Sequence, residues 1–290
     1  MSENVKDISM KEEKDLIKKM ILMVNPGDCR EIRETLNMTE KGTVKNSMEN
    51  YVTVLRKDPL LVGSLRYNRL TEKIDVTKVL WWNKEPCVLT NKGRKALRYF
   101  FEKYYGLFNE SVMDDALDLE AYSKEYHPIC EYLETLEWDG KERIRNVLKV
   151  YMGADDSDMV YEMLKHFMMG ALNRIYCPGC KFDEMLCLVG QQGAGKSTFF
   201  RFLALDDQWF SDSLKNLSME KPYELLRGHW ILEMSEMTAA ISAKSIEETK
   251  SFLSRMKETH RNPYEKYEED RPRQCVFAGS SNNRQFIPFD

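Results

Sequence analysis

The segment with the clearest chemical role is a glycine-rich stretch that ends in a lysine and a serine. Its pattern, GxxxxGK[ST], lets the backbone curl so that several N–H groups point at phosphate oxygens. Lys196 is expected to reach the β- and γ-phosphates of ATP, and Ser197 to ligate a magnesium ion. The predicted nucleotide-binding residues are Gly190, Gln191, Gln192, Gly193, Ala194, Gly195, Lys196, Ser197 and Thr198.

Two acidic residues follow an apolar segment further along the chain. Glu233 and Glu236 stand at the end of a predicted strand, Trp230 to Met234. Because the carboxyl end of a neighbouring strand lies beside a phosphate-binding loop, we predict that the pair holds the metal together with Ser197 and orients the attacking water. Which acid has which role stays open. An exposed strand-end charge is the alternative for either residue.

A polar amide follows the next apolar segment. Asn282 comes shortly after the predicted strand Cys275 to Gly279, where it could hold the attacking water or sense the γ-phosphate. A residue in a simple turn is the alternative. The predicted catalytic residues are Lys196, Glu233, Glu236 and Asn282.

Basic and aromatic side chains are mixed in the segment between these two strands. Bases can stack on a tyrosine while cations meet the phosphates, which makes this segment a candidate contact for single-stranded DNA. The candidate DNA-binding residues are Lys250, Arg255, Arg261, Tyr264 and Lys266. Acidic residues at 265 and 268–270 lie close by, so a solvated loop is an equal alternative on composition alone.

Short apolar segments and helical patterns alternate in the last third of the chain. Met185 to Val189 is predicted to be a buried strand before the glycine-rich segment, and Thr198 to Leu205 the helix after it. This alternation is typical of a sheet covered by helices. We therefore predict an α/β P-loop NTPase domain over residues 131–290, with a helical lead-in at 144–151 and 158–175.

Residues 1–130 are predicted to form a mainly α-helical region. The first forty-odd residues are interpreted as a short helix and a loosely held lead-in, with a turn at Pro26. Asn46 is predicted to cap the next helix, and Glu49 is placed to complete a reciprocal capping box with it. A small hairpin over 67–76 and helices over 90–105 and 112–122 follow.

The helix predicted over 90–105 has one apolar and one basic face. Leu97, Phe100, Phe101 and Tyr104 recur at helical spacing, and the cations at 92, 94, 95 and 98 fall on the other side. A packed helix with a solvated face is the favoured interpretation. A nucleic-acid-binding face is the alternative.

Composition places limits on the class of protein. The formal net charge is -4, which disfavours a surface coated in basic charge for duplex DNA but allows a local basic channel. No run of about 18 apolar residues occurs, and no export signal precedes the seven cysteines. We therefore expect a cytoplasmic protein with no membrane partner and no disulfides. Cys177 and Cys180 could be half a zinc site or a redox motif, but no second pair at ligand spacing accompanies them.

Several motifs together resemble the virulence-associated E family, which looks like the AAA+/superfamily 3 helicase part of phage and plasmid primase-helicases. The likeness extends loosely over 43–126 and more specifically over 130–290. It includes the segments at 132–141, 178–183, 190–197, 209–213, 226–228, 233–236, 250–255, 261–264 and 273–282.

This resemblance implies an ATP-driven, Mg²⁺-dependent DNA helicase that serves replication of a phage, plasmid or other mobile element. It also implies a homo-oligomeric ring, a hexamer if complete, with primase or other replication partners. The family places a loop between the second acidic motif and the sensor amide in the central channel, which favours Arg261, Tyr264 and Lys266 as DNA contacts. No acidic primase signature or zinc ribbon is found in residues 1–130.

One departure from the family leaves two further alternatives open. The family's Gly-Asn-Arg-Arg-Phe motif, with an arginine offered to the neighbouring subunit, does not follow Asn282 before the sequence ends. A chain truncated at its carboxyl end that binds ATP or DNA as a regulatory module without turnover is therefore the first alternative. The second is a monomeric P-loop kinase that phosphorylates a small molecule without DNA.

Overall fold

The computed structural model describes residues 14–214, 222–235, 243–260 and 268–283. The chain divides into two compact units, Met1–Pro128 and Ile129–Asp290. In the described residues, the first unit contains helices and a three-stranded sheet, and the second contains helices, a four-stranded sheet and a two-stranded sheet. Within the described residues, no helix is both long enough and apolar enough to cross a bilayer.

The first unit packs helices around a three-stranded antiparallel sheet. Strands β1 and β2 form the predicted hairpin, with Leu65 opposite Val76, and β3 pairs with the other side of β2. In chain order the elements are α1 (14–23), α2 (Pro26–Glu34), α3 (Met48–Lys57), β1 (Leu65–Asn68), β2 (Lys73–Val76), β3 (Cys87–Val88), α4 (Asn91–Phe100), a π-helical turn (Phe101–Tyr105) and α5 (Glu110–Tyr122).

The segment interpreted as a loosely held lead-in is packed from residue 20 onward. Pro26 does not mark a turn but begins α2, where its missing N–H costs nothing, and the side chain of Asn25 caps the helix by accepting from the N–H of Gly27. Met20 and Cys29 are buried in the core of the unit. The polar composition of the segment concealed the few apolar residues that anchor it.

The predicted cap of α3 was wrong. The N-cap is Ser47, and its side chain makes no capping hydrogen bond. The Oδ1 atom of Asn46 instead accepts from the backbone N–H groups of Phe108 at 2.6 Å and Asn109 at 3.2 Å. The side chain of Asn46, which the local spacing assigned to a helix cap, therefore makes a tertiary contact with the start of α5 instead.

Two cations on the basic face of α4 are paired with acidic residues. Arg94 forms an ion pair with Asp114 on α5, and Arg98 pairs with Glu102 and with Glu110. The opposite face, with Leu97 and Phe100, is fully buried. These pairings support a packed helix with a solvated face, because Arg94 and Arg98 already have partners of opposite charge.

The second unit begins with three helices and continues as alternating strands and helices. Its elements are α6 (Pro128–Glu134), α7 (Ile144–Met152), α8 (Asp158–Tyr176), β4 (Met185–Val189), α9 (Lys196–Leu203), a 3₁₀ turn (Asp207–Trp209), β5 (Phe210–Ser211), α10 (Pro222–Leu226), β6 (Ile231–Met234), α11 (Ala243–Leu253), β7 (Lys257–His260), β8 (Glu269–Pro272) and β9 (Val276–Ser281).

Four of these strands form a parallel sheet in the order β4-β9-β6-β5. The last strand in the sequence, β9, lies between β4 and β6 and is buried along its whole length. The prediction that β4 is buried was wrong. Among the described strands it pairs only with β9, so its residues are half-buried and Val189 is exposed.

Candidate nucleotide-binding site

The glycine-rich segment forms a turn between β4 and α9. Gly193 and Gly195 both have φ of 81°, a left-handed conformation that a Cβ would strain. The N–H of Gly190 donates to the carbonyl of Ser281 at the end of β9, at 3.1 Å. The turn therefore joins the carboxyl ends of two adjacent strands to the amino end of α9, where helix N–H groups carry partial positive charge.

The ammonium group of Lys196 makes three hydrogen bonds. Its Nζ donates to the carbonyls of Gly190 at 2.8 Å and Gln191 at 2.9 Å, and to Oδ1 of Asn282 at 2.9 Å. The residue is only 8% exposed. Because an ammonium has three donors, all of them are used here by neutral oxygen acceptors.

A serine and a glutamate face each other beside this lysine. Oγ of Ser197 donates to Oε1 of Glu233 at 2.8 Å. Glu233 is fully buried on β6, and its Oε2 has no hydrogen-bond partner among the described residues. Such an atom is costly to bury unless a partner compensates it.

This pair fits a hard divalent cation. Carboxylate and other oxygen atoms are the ligands that Mg²⁺ prefers, usually with phosphate oxygens and water completing the shell. In the described part of the chain no group of three or more His, Cys, Asp or Glu side chains is placed to hold a metal ion. Among the described residues, Ser197 and Glu233 are thus the candidate Mg²⁺ ligands, and a complete shell would need further oxygen ligands such as phosphate and water.

The sheet order explains how residues far apart in sequence meet. In the parallel pairing of β6 and β9, Glu233 lies opposite Ala278, and Asn282 follows the end of β9. Carboxyl ends of parallel strands share one edge of a sheet. The structure thus brings Lys196, Ser197, Glu233 and Asn282 together, as their positions at strand ends predict.

The other predicted residues are not part of this cluster or are not described. Lys250 pairs with Glu247 on α11, and Arg255 lies 3.5 Å from a carboxylate oxygen of Glu258. Each of these candidate DNA contacts therefore has an acidic neighbour. The remaining predicted residues lie outside the described residues; they are Glu236, Arg261, Tyr264 and Lys266.

A two-stranded antiparallel hairpin that the sequence patterns did not indicate flanks the last three candidates. β7 pairs with β8, with Lys257 opposite Pro272 and His260 opposite Glu269. A buried ion pair supports it: Nε of Arg273 donates to Oε1 of Glu258 at 2.9 Å. The alternation of charged residues in both strands gave no apolar signal from which the hairpin could be found.

Sequence reasoning also missed an apolar cleft beside the glycine-rich turn. It has a volume of about 480 Å³, and α7 and α9 line it together with Ala194 and Gly195 of the turn. Ala194, Gly195 and Thr198 were predicted to bind the nucleotide, but the other lining residues were placed only within two predicted helices. No sequence signal marks the cleft, because the exposure of Tyr151 and Phe202 is visible only in the structure.

The second unit is a mixed α/β domain with a parallel sheet that carries polar residues at one edge. Residues 133–290 match the family model described as the virulence-associated protein E-like domain. The match covers more than half of the chain, and this chain belongs to that family.

Solved structures with a similar arrangement include three apo structures of the C-terminal region of NrS-1. The A form has a TM-score of 0.41 and 13% identity, over 75% of this chain and 53% of that one. An A form of residues 305–718 has a TM-score of 0.40 and 15% identity, over 76% of this chain and 53% of that one. Another apo structure of this region has a TM-score of 0.40 and 16% identity, over 75% of this chain and 54% of that one. The chain thus spans about half the length of these structures. No curated protein compared with the chain matches it.

Proposed function

We propose that this chain is an ATP-dependent NTPase of the P-loop, AAA+/superfamily 3 helicase type, stimulated by single-stranded DNA. Its role is the replication of a phage, plasmid or other mobile element, in keeping with its family. The observation that carries the proposal is the contact of Ser197 with a buried Glu233 whose second oxygen has no described partner. P-loop nucleotide sites need a serine and an acidic residue that together hold Mg²⁺, beside a lysine that contacts the phosphates.

Each residue of the cluster has a defined part in the proposal. Lys196 exchanges its three neutral acceptors for β- and γ-phosphate oxygens, whose negative charge makes them stronger acceptors. Ser197 and Glu233 hold Mg²⁺, which when bound would neutralise part of the negative charge of the phosphates. The amide of Asn282 is then free to orient water at the γ-phosphate. Glu236 is proposed as the second acid.

Assembly and DNA contact are further parts of the proposal. We propose a homo-oligomeric ring whose channel receives single-stranded DNA, with Lys250, Arg255, Arg261, Tyr264 and Lys266 as contacts. Residues 261–267 stand in sequence between β7 and β8, and these strands pair with His260 opposite Glu269. A primase or other replication protein is the expected partner.

The test is ATP hydrolysis by the chain with and without single-stranded DNA. Lys196→Ala removes the phosphate-binding ammonium, and Lys165→Ala, an exposed lysine on α8 paired with Glu162, is the matched control. Stimulation by DNA that is lost in Lys196→Ala and kept in Lys165→Ala is expected. ATP binding without turnover would instead favour a regulatory module. Phosphate transfer to a small molecule without DNA would favour a kinase.

A further inference from the structure

The apolar cleft of the second unit lies directly against the glycine-rich turn. On one side it is lined by Val147 and Tyr151 of α7, and on the other by Phe199 and Phe202 of α9. Its volume of about 480 Å³ falls within the range of about 300–1,000 Å³ that is usual for small-molecule sites. The cleft is therefore large enough for a ligand with several rings.

The position of the cleft identifies what kind of ligand would enter it. Ala194, Gly195 and Thr198 line the cleft and also belong to the proposed phosphate-binding segment. A ligand whose phosphates occupy that segment would have its remaining part at the cleft. For a nucleotide, this part is the base and the ribose.

Two exposed aromatic side chains suit the cleft to a flat apolar ring. Tyr151 is 74% exposed and Phe202 is 76% exposed, whereas Phe199 is buried. Covering exposed aromatic rings in a concave site with a planar group lowers the free energy. A base has such a face whatever its identity.

Few of the described side chains that line the cleft carry a group that could distinguish one base from another. Among the described residues that line the cleft, only Tyr151 and Thr198 carry a side-chain hydroxyl, and the others are apolar or glycine. Strong discrimination requires buried groups that pair with the edge of the base, while an apolar pocket rejects near-isosteres only weakly. The cleft would therefore select a base by the size and shape of its ring system rather than by hydrogen bonds to its edge.

We propose that this cleft receives the base and ribose of a nucleotide bound at the glycine-rich turn, and that it accepts adenine and guanine nucleotides alike. The inference rests on the proposed function, since it needs the triphosphate to be held by Lys196 and its neighbours. It extends that function by naming the substrate class as purine nucleoside triphosphates rather than ATP alone.

The experiment measures dissociation constants by calorimetry in Mg²⁺ for non-hydrolysable ATP and GTP analogues and for inorganic tripolyphosphate. The variants are Phe202→Ala and Tyr151→Ala, and Tyr176→Ala is the matched control, an exposed aromatic on α8 outside the cleft. We expect the two analogues to bind the wild type within about tenfold of each other. Phe202→Ala should weaken both by about fivefold or more, as the loss of one base–aromatic stack does. Tripolyphosphate binding should not change.

The tripolyphosphate arm separates the inference from the proposed function. If the wild type binds neither tripolyphosphate nor the analogues, both the proposed phosphate site and the proposed base site are contradicted. If all three bind and neither cleft variant weakens the analogues, the cleft is not the base site although the phosphate site stands. A preference for one purine above about a hundredfold would overturn the shared substrate class.

Discussion

Lys196 and Asn282 are joined by a hydrogen bond of 2.9 Å, although 86 residues separate them in the sequence. The first residue begins α9 and the second follows β9, so the contact joins these two elements at the cluster. Any anion that binds Lys196 must compete with this amide oxygen. The strength of that competition can be changed without touching the glycine-rich turn.

Asn282→Asp is expected to weaken ATP binding, by about tenfold or more. A carboxylate at this position would form an ion pair with Lys196, which attracts the ammonium more strongly than the neutral amide oxygen does, and it would also repel the γ-phosphate. Asn282→Ala removes the competitor without adding charge and should bind ATP at least as well as the wild type. Calorimetric titration of the three proteins is the measurement. Equal affinity of the two variants would contradict the competition.

Glu233→Gln is expected to abolish the contribution of Mg²⁺ to nucleotide-induced stabilisation. Without divalent cations the variant should unfold at an equal or higher temperature, because a neutral amide costs less to bury than a carboxylate with one uncompensated oxygen. Thermal unfolding is compared with ATP in EDTA and with ATP in Mg²⁺. The wild type should gain more from Mg²⁺ than the variant does. An equal gain would place the cation elsewhere.

Gly170→Ala is expected to destabilise the second unit. Alanine is a better helix former than glycine by about 1 kcal/mol, but a Cβ at position 170 on α8 would stand 2.1 Å from Cε2 of Phe182. Overpacking typically costs about 1–3 kcal/mol, and three ring atoms lie within 2.5 Å of the added carbon, so the clash should outweigh the helical gain. Urea unfolding measures the difference.

A second substitution shows whether the clash is the cause of that loss. Phe182→Leu removes ring atoms from the space that the new methyl group needs. The double variant should therefore lose less free energy than the sum of the two single variants. A Gly170→Ala protein as stable as the wild type would show that the ring moves aside at no cost.

Asp58→Asn tests a buried carboxyl group in the first unit. Asp58 is 2% exposed, and its Oδ2 accepts from the hydroxyl of Tyr105 at 2.5 Å. Burial raises the pKa of this carboxyl group above its ordinary value of 3.8, although the bond from Tyr105 acts in the opposite direction. The folded protein thus keeps the proton to a higher pH than the unfolded chain, so the contribution of Asp58 to stability is greatest below pH 3.8 and falls as the pH rises through the folded-state pKa.

The measurement is the free energy of unfolding of both proteins from about pH 3.5 upward. The wild type should lose stability relative to Asp58→Asn as the pH rises. Asp115→Asn, a substitution of the same kind at an exposed residue on α5, is the matched control. A difference between wild type and Asp58→Asn that grows in favour of the wild type with rising pH would reverse the expected sign.

Elements with strong local patterns agree closely with what the sequence indicates. The apolar spacing of α4 and α8 and the short apolar runs of β4, β6 and β9 predict these elements to within a few residues. The hairpin of β1 and β2 was also found. Periodicity succeeds at such positions because the side chains that decide the conformation are neighbours along the chain.

Contacts between distant segments could not be derived in this way. Asn46 was available both to cap α3 and to bind the start of α5, and only the packing of the two helices decided between them. The edge position of β4 and the charged hairpin of β7 and β8 likewise depend on which segments become neighbours.

By itself, the sequence determined that a glycine-rich turn lies between a strand and a helix and that Lys196 and Ser197 open this helix. These features follow from local backbone freedom, since Gly193 and Gly195 take conformations that other residues disfavour. Only the tertiary structure decided that Glu233 and Asn282 meet them and that Tyr151 and Phe202 share one cleft. The order β4-β9-β6-β5 is not the order of the chain, and strand order is set by packing of the whole sheet rather than by any segment within it.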